Sequence, residues 1–538
     1  MDKRRYAFLK SRSGETVPAI VLDSADTRPL HSMIDPKREA QRLVSTISED
    51  TGFVVFLGLG GGFAPQEALA LTAAQVVVID FDRDGIAELL SSKDYTPLME
   101  NERFCLLTDP SCEEIKKLIL EKYKPALCGG IKTIPLRTRT EFDLPLFDAA
   151  AQAIQEAIET VSSDYSVQAH FGRRWFSNII RNIKTAGIVH ENFLKEKFSC
   201  TISEAAIVAA GPSLDLQISA LAECKSRNAF IICSDTAFPV LINHGIEPNA
   251  IVSIDCQHIS YYHFIGCYHK LHNIPLILDI ASPSLLSRLS PSPVFFSSGH
   301  PLARYISAYW QPFPYLDTSG GNVTYACLSL AENLGAHLIT LLGADFSYIN
   351  SRTYARGTYI YPFFEKKQNR VSPMEALFST FLYRSPFLPP ENEGNQKQNY
   401  YETSSLRFYR KKLEEKASMI DTQISCAKGL GAPINLYKSP NRIKHAETST
   451  SVKKISGGAC GAIFLEQYRS DIAALPETKS PDYLNQLNSK EKQIFTTLLP
   501  YIAFNKRRNP NLKTEELIEV TKRRCIEEID MVMGSGCK

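Results

Sequence analysis

The sequence predicts an α/β protein: a Rossmann-like central domain with a parallel sheet, a smaller N-terminal α/β domain and a helical C-terminal region. Three observations predict it. Short apolar runs such as "FVVFL", "QVVVID", "AAIVAA", "AFIICS", "PLILDI" and "HLITLL" alternate with longer amphipathic stretches, the pattern that builds parallel sheets. Two of these runs empty directly into glycine turns, "GLGGG" and "GPS". At 538 residues the chain is also too long for one hydrophobic core, so roughly two to four domains are expected.

The N-terminal domain, residues 1–140, opens with "VPAIVL", a short strand. In "PLHSMIDPKREAQRLV" Asp35 is placed to cap a helix with Pro36 in its first turn. "FVVFLGLGGGF" then reads as strand and glycine turn, and "AQVVVIDFD" as the next strand, which together make a βαβ unit. Residues 141–195 keep helical periodicity with no strand candidate and predict a helical bridge. The central domain spans 196–440, with a lid inserted at about 361–400, where Pro, Asn, Gln and charge accumulate. After the helix "SSLRFYRKKLEEKASMI", "APINLY" reads as a late strand returning to the sheet. Residues 441–538 read as a polar linker followed by helices.

Composition narrows the function classes. Hydrophobic residues make up 44% and charged residues 22%, as in ordinary soluble domains. Sixty basic against 58 acidic side chains leave a net charge of +2, no footprint for nucleic acid or anionic lipid. No apolar run approaches the ~18 residues of a membrane span, and no signal-peptide core follows the basic start. Thirteen cysteines are scattered singly and read as reduced thiols, so a cytoplasmic protein is expected.

The two glycine turns carry the first chemical signals. In "FLGLGGGF", Gly58, Gly60 and Gly62 alternate, and Asp80 and Asp82 follow the next strand, where a ribose hydroxyl is held in nucleotide-binding sheets. Phe63 stands where a third dinucleotide-type glycine belongs, so ligand site and bare turn both remain open. In "AAGPSLDLQI", Gly211 permits the turn, Pro212 fixes its φ, and Ser213 is expected exposed at a helix start. Its hydroxyl and neighbouring N–H groups would form an anion-binding concavity, unless Ser213 or Asp215 merely caps the helix.

Further along, Ser319, Gly320, Gly321 and Asn322 open a helix, and a strand ends in Gly343-Ala344-Asp345-Phe346. Ligands in open α/β sheets sit outside the carboxyl ends of the strands, so Gly211–Ser213, Asp235, Asp255 and Asp345 are expected around one crevice. Tyr348, Arg352, Tyr354 and Arg356 follow at once, phenols and guanidiniums suited to a phosphate or carboxylate.

Several stretches together resemble the bacterial motility accessory factors, proteins implicated in glycosylating flagellin. They are "PLHSMIDPKREAQRLV", "FGRRWFSNIIRN", "AAGPSLDLQISAL", "IICSDTAFPVLINHGIEPNAIVSIDCQ" and "SGGNVTYACLSLAENLGAHLITLLGADFSY". The central domain is also similar to bacterial sialyltransferases that use a CMP-activated nonulosonic acid. Gly211–Leu214, Gly343–Phe346, the pair Tyr348 and Tyr354, and "INLYKSPN" (434–441) match those enzymes' motifs in order. The resemblance implies an inverting transferase that moves a nonulosonic sugar from CMP to Ser or Thr of flagellin. Its tyrosines and backbone N–H groups would stabilise the departing phosphate without a metal or resident cofactor. Arg352 or Arg356 would pair with the sugar carboxylate.

One element of that pattern is missing. The sialyltransferases carry a histidine before the late helix, whereas "QNYYETSSLRFY" has Thr403 near that position. Glu402 and Asp255 are the substitutes available as general base. The cluster Cys256, His258, His263, Cys267, His269 and His272 has none of the usual zinc spacings and reads as an aromatic, partly exposed helix beside the crevice. Two other readings stay open. An archaeal pterin diphosphokinase shares the central domain family, and Asp235 and Asp255 would then hold magnesium for ATP. Alternatively, the chain is a non-catalytic flagellin-binding assembly factor.

Overall fold

The computed structural model describes residues 5–23, 26–186, 193–198, 202–291, 293–389, 400–437, 460–477 and 483–534. They divide into two compact units: Met1–Gly172 with Asp471–Arg524, and Arg173–Ser470 with Cys525–Lys538. The helical C-terminal region, expected as a segment of its own, is therefore shared between the units. The expected bridge is largely one helix, Leu144–Ile183. The polar linker after residue 441 lies almost wholly outside the described residues.

In the first unit, β1 (Tyr6–Lys10), β2 (Thr16–Asp23) and β3 (Asp26–Pro29) form an antiparallel sheet. The helix Pro36–Val44 follows, capped as its sequence predicts, with the Arg38 N–H donating to Asp35 Oδ1 at 3.0 Å. A parallel sheet then contains β4 (Phe53–Leu57), β5 (Gln75–Asp80), β6 (Phe104–Thr108) and β7 (Ile131–Pro135) in the order β6-β5-β4-β7. Every residue of β4 is buried, because helices cover both faces of a parallel sheet. The edge strands β6 and β7 escaped the sequence reading. Their residues are mostly half-buried and their apolar runs correspondingly weak.

The second unit is built on β8 (Glu204–Val208), β9 (Phe230–Ser234), β10 (Ala250–Ser253), β11 (Leu276–Asp279), β12 (Val294–Phe296) and β13 (Leu338–Leu342). A small antiparallel ribbon of β14 (Tyr348–Ile349), β15 (Phe387–Leu388) and β16 (Tyr400–Thr403) lies outside that sheet, and β17 (Gln423–Cys426) rejoins it. The main sheet runs β12-β11-β10-β9-β8-β13-β17, parallel throughout. From β8 the chain builds outward in one direction to β12, then returns to the other side as β13. The order reverses between β8 and β13, the switch point at which such sheets open a crevice.

The late strand is corrected by this topology: β17, not "APINLY", pairs with β13. Pro433 has no N–H to give a ladder, and the Ala432 N–H is taken by the Asp345 carbonyl at 3.0 Å and Ser347 Oγ at 3.0 Å. Within the expected lid, the helices Ile360–Glu365 and Met374–Leu382 are described, and residues 390–399 are not.

At the tip of β11, Asp279 is buried and accepts from the Ala281 N–H at 2.8 Å. Burial pushes its pKa up to about 6, with the Ala281 N–H and the Ser298 side chain opposing. The unfolded value is about 3.9, so the folded state holds this proton more tightly. That contribution to stability is complete below about pH 4 and is lost as pH rises through about 6. Asp279→Asn keeps an acceptor for Ala281. It is expected to be about 1–3 kcal/mol more stable than the parent at pH 8 in urea unfolding, with the gain fading at pH 4. An equal difference at both pH values would rule out the buried carboxylate as its source.

Candidate functional site

At the switch point the chain fills the turn after β8 with its own groups. The Gly211 N–H donates to the Gly343 carbonyl at 2.9 Å, and the Ser213 N–H to Asp345 Oδ2 at 2.8 Å. Ser213 Oγ accepts from the Leu430 N–H at 2.9 Å. A Cβ on Gly211 would lie 2.3 Å from Asp345 Oδ2, so glycine here allows two loops to touch. Burial raises the Asp345 pKa, and the Ser213 hydroxyl and N–H oppose the rise.

The expectation of an exposed Ser213 beside an open anion cradle is therefore corrected. Ser213, Pro212 and Asp345 are buried, and the Asp345 carboxylate occupies the position at the helix start that an external anion would take. The Ser213 side chain makes no capping bond either. A cavity of about 120 Å³ beside this turn, lined by Gln217, Asp345 and Pro433 among others, is well below the ~300 Å³ of ordinary ligand sites.

The neighbouring strand tips are arranged differently. Beyond β9, Asp235 is buried and accepts from the Thr236 N–H at 2.6 Å and the Ser253 hydroxyl at 2.6 Å. Beyond β10, Asp255 accepts from the Gln257 N–H at 2.9 Å. Burial raises its pKa, the Gln257 N–H opposes this, and Asp235 adds to the rise. The phenol of Tyr354 is raised well above its ordinary value by burial, then by Tyr359 and Tyr348, with Arg384 opposing and Asp235 adding. Tyr359 is raised by burial, with Arg384 opposing and Asp235 and Asp255 adding. The rings of Tyr354 and Tyr359 lie 6.3 Å apart, and Tyr354 and Phe381 6.4 Å.

Asp235 thus lies within electrostatic reach of Tyr354 and Tyr359, Asp255 within reach of Tyr359, and Tyr348 within reach of Tyr354. The sequence reading missed Tyr359, Arg384 and Tyr409, whereas His263 was part of the cluster expected beside the crevice. Tyr359 lies in the run "YARGTYIY", which could have pointed to it; Arg384, within the lid, has no such signal. His263 packs edge-on against Tyr359 at 4.4 Å. Tyr409 is raised by burial and by Asp255, and its ring would lie 2.9 Å from a Cβ on Gly321. The Gly321 turn therefore borders the crevice. Asn322 caps the helix Val323–Asn333 through the Tyr325 N–H at 3.0 Å, and Gly320 packs against the Tyr325 ring. Ser319 is exposed, its N–H bonded to Asp317 Oδ1 at 3.0 Å.

Two further expectations change. Arg352 pairs with Asp215 at 2.7 Å, and the Arg356 N–H donates to the same carboxylate at 3.0 Å, so this pair serves the loop before it serves a ligand. Arg356 is exposed. Glu402 is buried between Arg407 at 3.2 Å and Arg410 at 3.1 Å, and a carboxylate fixed by two guanidiniums is a poor base. Thr403, at the position of the missing histidine, caps the late helix by accepting from the Leu406 N–H at 3.3 Å. Cys256, His263 and Cys267 are buried while His258, His269 and His272 are exposed, and no metal-binding group of three forms among the described residues. The end of "INLYKSPN", residues 438–441, lies outside the described residues.

The glycine turn of the first unit is closed from within in the same way. Asp80 Oδ2 accepts from the Leu59 N–H at 2.7 Å, and Asp80 Oδ1 pairs with Arg139 at 2.8 Å. His31 Nε2 accepts from the Gly61 N–H at 2.8 Å, and the Tyr95 hydroxyl donates to the Gly60 carbonyl at 2.8 Å. A Cβ on Gly60 would stand 2.5 Å from His31 Nε2. Asp82 pairs with Arg5 at 2.8 Å and caps the helix Arg83–Ser92. The glycines let side chains approach the backbone, and those side chains take the N–H groups a nucleotide would use.

Residues 175–351, which include Asp235, Asp255 and Tyr348, match the family model described as "6-hydroxymethylpterin diphosphokinase MptE-like". Two uncharacterized proteins of Treponema pallidum (strain Nichols) are similar. One is 42% identical over 101 residues, 19% of this chain and 36% of the relative, so the chain spans about a third of that relative's length. The other is 30% identical over 171 residues, 32% of this chain and 80% of the relative. The MAf glycosyltransferase of Magnetospirillum magneticum AMB-1 shares the fold, with a TM-score of 0.57 at 13% identity over 99% of this chain and 92% of that one. The chain thus belongs to one family with the second of the T. pallidum proteins, carries an MptE-like domain at residues 175–351, and has the fold of a MAf glycosyltransferase.

Proposed function

We propose that the protein is a cytoplasmic glycosyltransferase that moves a nonulosonic acid from a CMP donor onto Ser or Thr of flagellin, with inversion and without a resident cofactor. The observation that carries this reading is that Tyr354 lies within electrostatic reach of Tyr348 and of Asp235, the residue just beyond β9. The near full-length likeness to a MAf glycosyltransferase supports it. The Tyr354 phenol, held well above its ordinary pKa, stays protonated at neutral pH and donates to the leaving phosphate. Arg384, which lies over the Phe381 ring and within electrostatic reach of Tyr354 and Tyr359, takes the part first expected of Arg352 or Arg356: a cation for the donor phosphate or the sugar carboxylate. Asp255, its pKa raised by burial, accepts the proton of the acceptor hydroxyl. Ser213 and Asp345 serve as a rigid floor rather than as ligand contacts.

The MptE-like match favours a second reading, an ATP-dependent diphosphokinase. It asks Asp235 and Asp255 to hold magnesium, yet both Asp235 oxygens are already engaged, by Thr236 and Ser253. Thermal unfolding with CMP, and separately with ATP plus magnesium, distinguishes the two. CMP at a hundred times its Kd is expected to stabilise by about 2.7 kcal/mol. Stabilisation by ATP plus magnesium alone would transfer the assignment to the kinase. The intact mass of flagellin from cells lacking the protein tests the acceptor: it should fall by the mass of the sugar, and an unchanged mass would remove flagellin from the proposal.

A further inference from the structure

We infer that the second unit contains a separate binding pocket for a phosphate monoester with a small ring or sugar attached. A cavity of about 340 Å³, of small-ligand size, is lined by Ser177, Ile180, Arg181, Lys184 and Thr185 at the end of the long helix. Ser284 and Arg288 line it beyond β11, and Glu528, Met531 and Val532 line it from the helix Thr514–Gly534.

Three cations therefore converge on one cavity from two segments remote in sequence. The single carboxylate there, Glu528, pairs with Arg173 at 3.2 Å. Among the described residues, the side chains of Arg181 and Arg288 have no hydrogen-bond or ion-pair partner. Like charges brought together around a concavity repel unless an anion joins them, and guanidiniums bind phosphate oxygens in bidentate fashion.

The rest of the lining fits the remainder of such a ligand. The hydroxyls of Ser177 and Ser284 supply donors, while Ile180, Met531 and Val532 form an apolar wall for a ring. The pocket is distinct from the strand-tip crevice, because the same helix turns a different face to that side. There Asn178 donates to the carbonyls of Cys256 and Ala281 at 3.1 and 2.8 Å, and Asn182 to those of Ile280 and Ser282 at 2.8 and 2.7 Å.

Calorimetric titration of the full-length protein with ribose 5-phosphate and with inorganic phosphate tests the pocket. Ribose 5-phosphate is expected to bind, more tightly than inorganic phosphate and more weakly as salt rises. Its affinity should fall at least tenfold in Arg181→Ala/Arg288→Ala, whose exposed side chains leave the thermal midpoint unchanged. Arg288→Glu is expected to lose still more, and Tyr354→Phe to bind as the parent does. Absence of binding, equal affinity for both ligands, or an unaltered affinity in the double variant would overturn the assignment. Loss of binding in Tyr354→Phe would reassign the ligand to the crevice.

Discussion

Replacing Arg139 by Met is expected to destabilise the first unit by about 3–5 kcal/mol, the cost of stranding a buried carboxylate. Arg139 and Asp80 are both fully buried and 2.8 Å apart. The guanidinium also reaches Asp143 at 2.6 Å and the Phe81 carbonyl at 2.9 Å, and lies over the Phe147 ring at 5.2 Å. Asp80 in turn holds the N–H groups of Leu59 and Phe81, so the glycine turn depends on a charge that Arg139 compensates. Burial already raises the Asp80 pKa, with Arg139 opposing. Without the guanidinium the carboxyl protonates more readily, so the loss should be smaller at pH 5 than at pH 8. Asp80→Asn/Arg139→Met removes both charges and should recover much of the deficit. Amide exchange of β4 and β5 reports this unit directly. A loss below about 1 kcal/mol, or no rescue in the double variant, would show that the pair does not hold the turn.

The same residues explain what could be read from the sequence. Strands buried on both faces, such as β4, β5, β8 and β9, announce themselves as uninterrupted apolar runs, and the glycines after them mark turns. Sequence cannot say what a glycine admits. At Gly60 and Gly211 it admits the chain's own His31 and Asp345, which lie 29 and 134 positions away in sequence. The pairings that disarm Glu402 and engage Arg352 are tertiary as well: Arg410 and Arg407 meet Glu402 across a strand-to-helix turn, and Asp215 meets Arg352 from a helix 137 residues away in sequence. What remained legible was the placement of Asp235 and Asp255 just beyond β9 and β10, because those positions follow from strand ends alone. Arg384 and Tyr409, brought in by the lid and the late helix, carried no such marker.

Tyr354→Phe is expected to lower kcat/KM about 10²–10³-fold, or ~3–4 kcal/mol of transition-state stabilisation, if the leaving phosphate is held as proposed. The substitution removes one hydroxyl and keeps the ring that lies 6.3 Å from Tyr359 and 6.4 Å from Phe381, so folding and donor binding change little. The deficit should accordingly fall mainly in kcat, with the CMP-induced thermal shift largely kept. Tyr359→Phe provides the internal comparison: its ring supports Tyr354 and His263, and it sits among the same charges. A small effect there beside a large one at Tyr354 would identify the Tyr354 hydroxyl itself as the donor to the phosphate. Transfer is read as release of CMP together with the mass gained by flagellin. A loss of less than about threefold in Tyr354→Phe would mean that the phenol does not touch the developing charge. Asp255 and Arg384 would then have to stabilise the transition state without it.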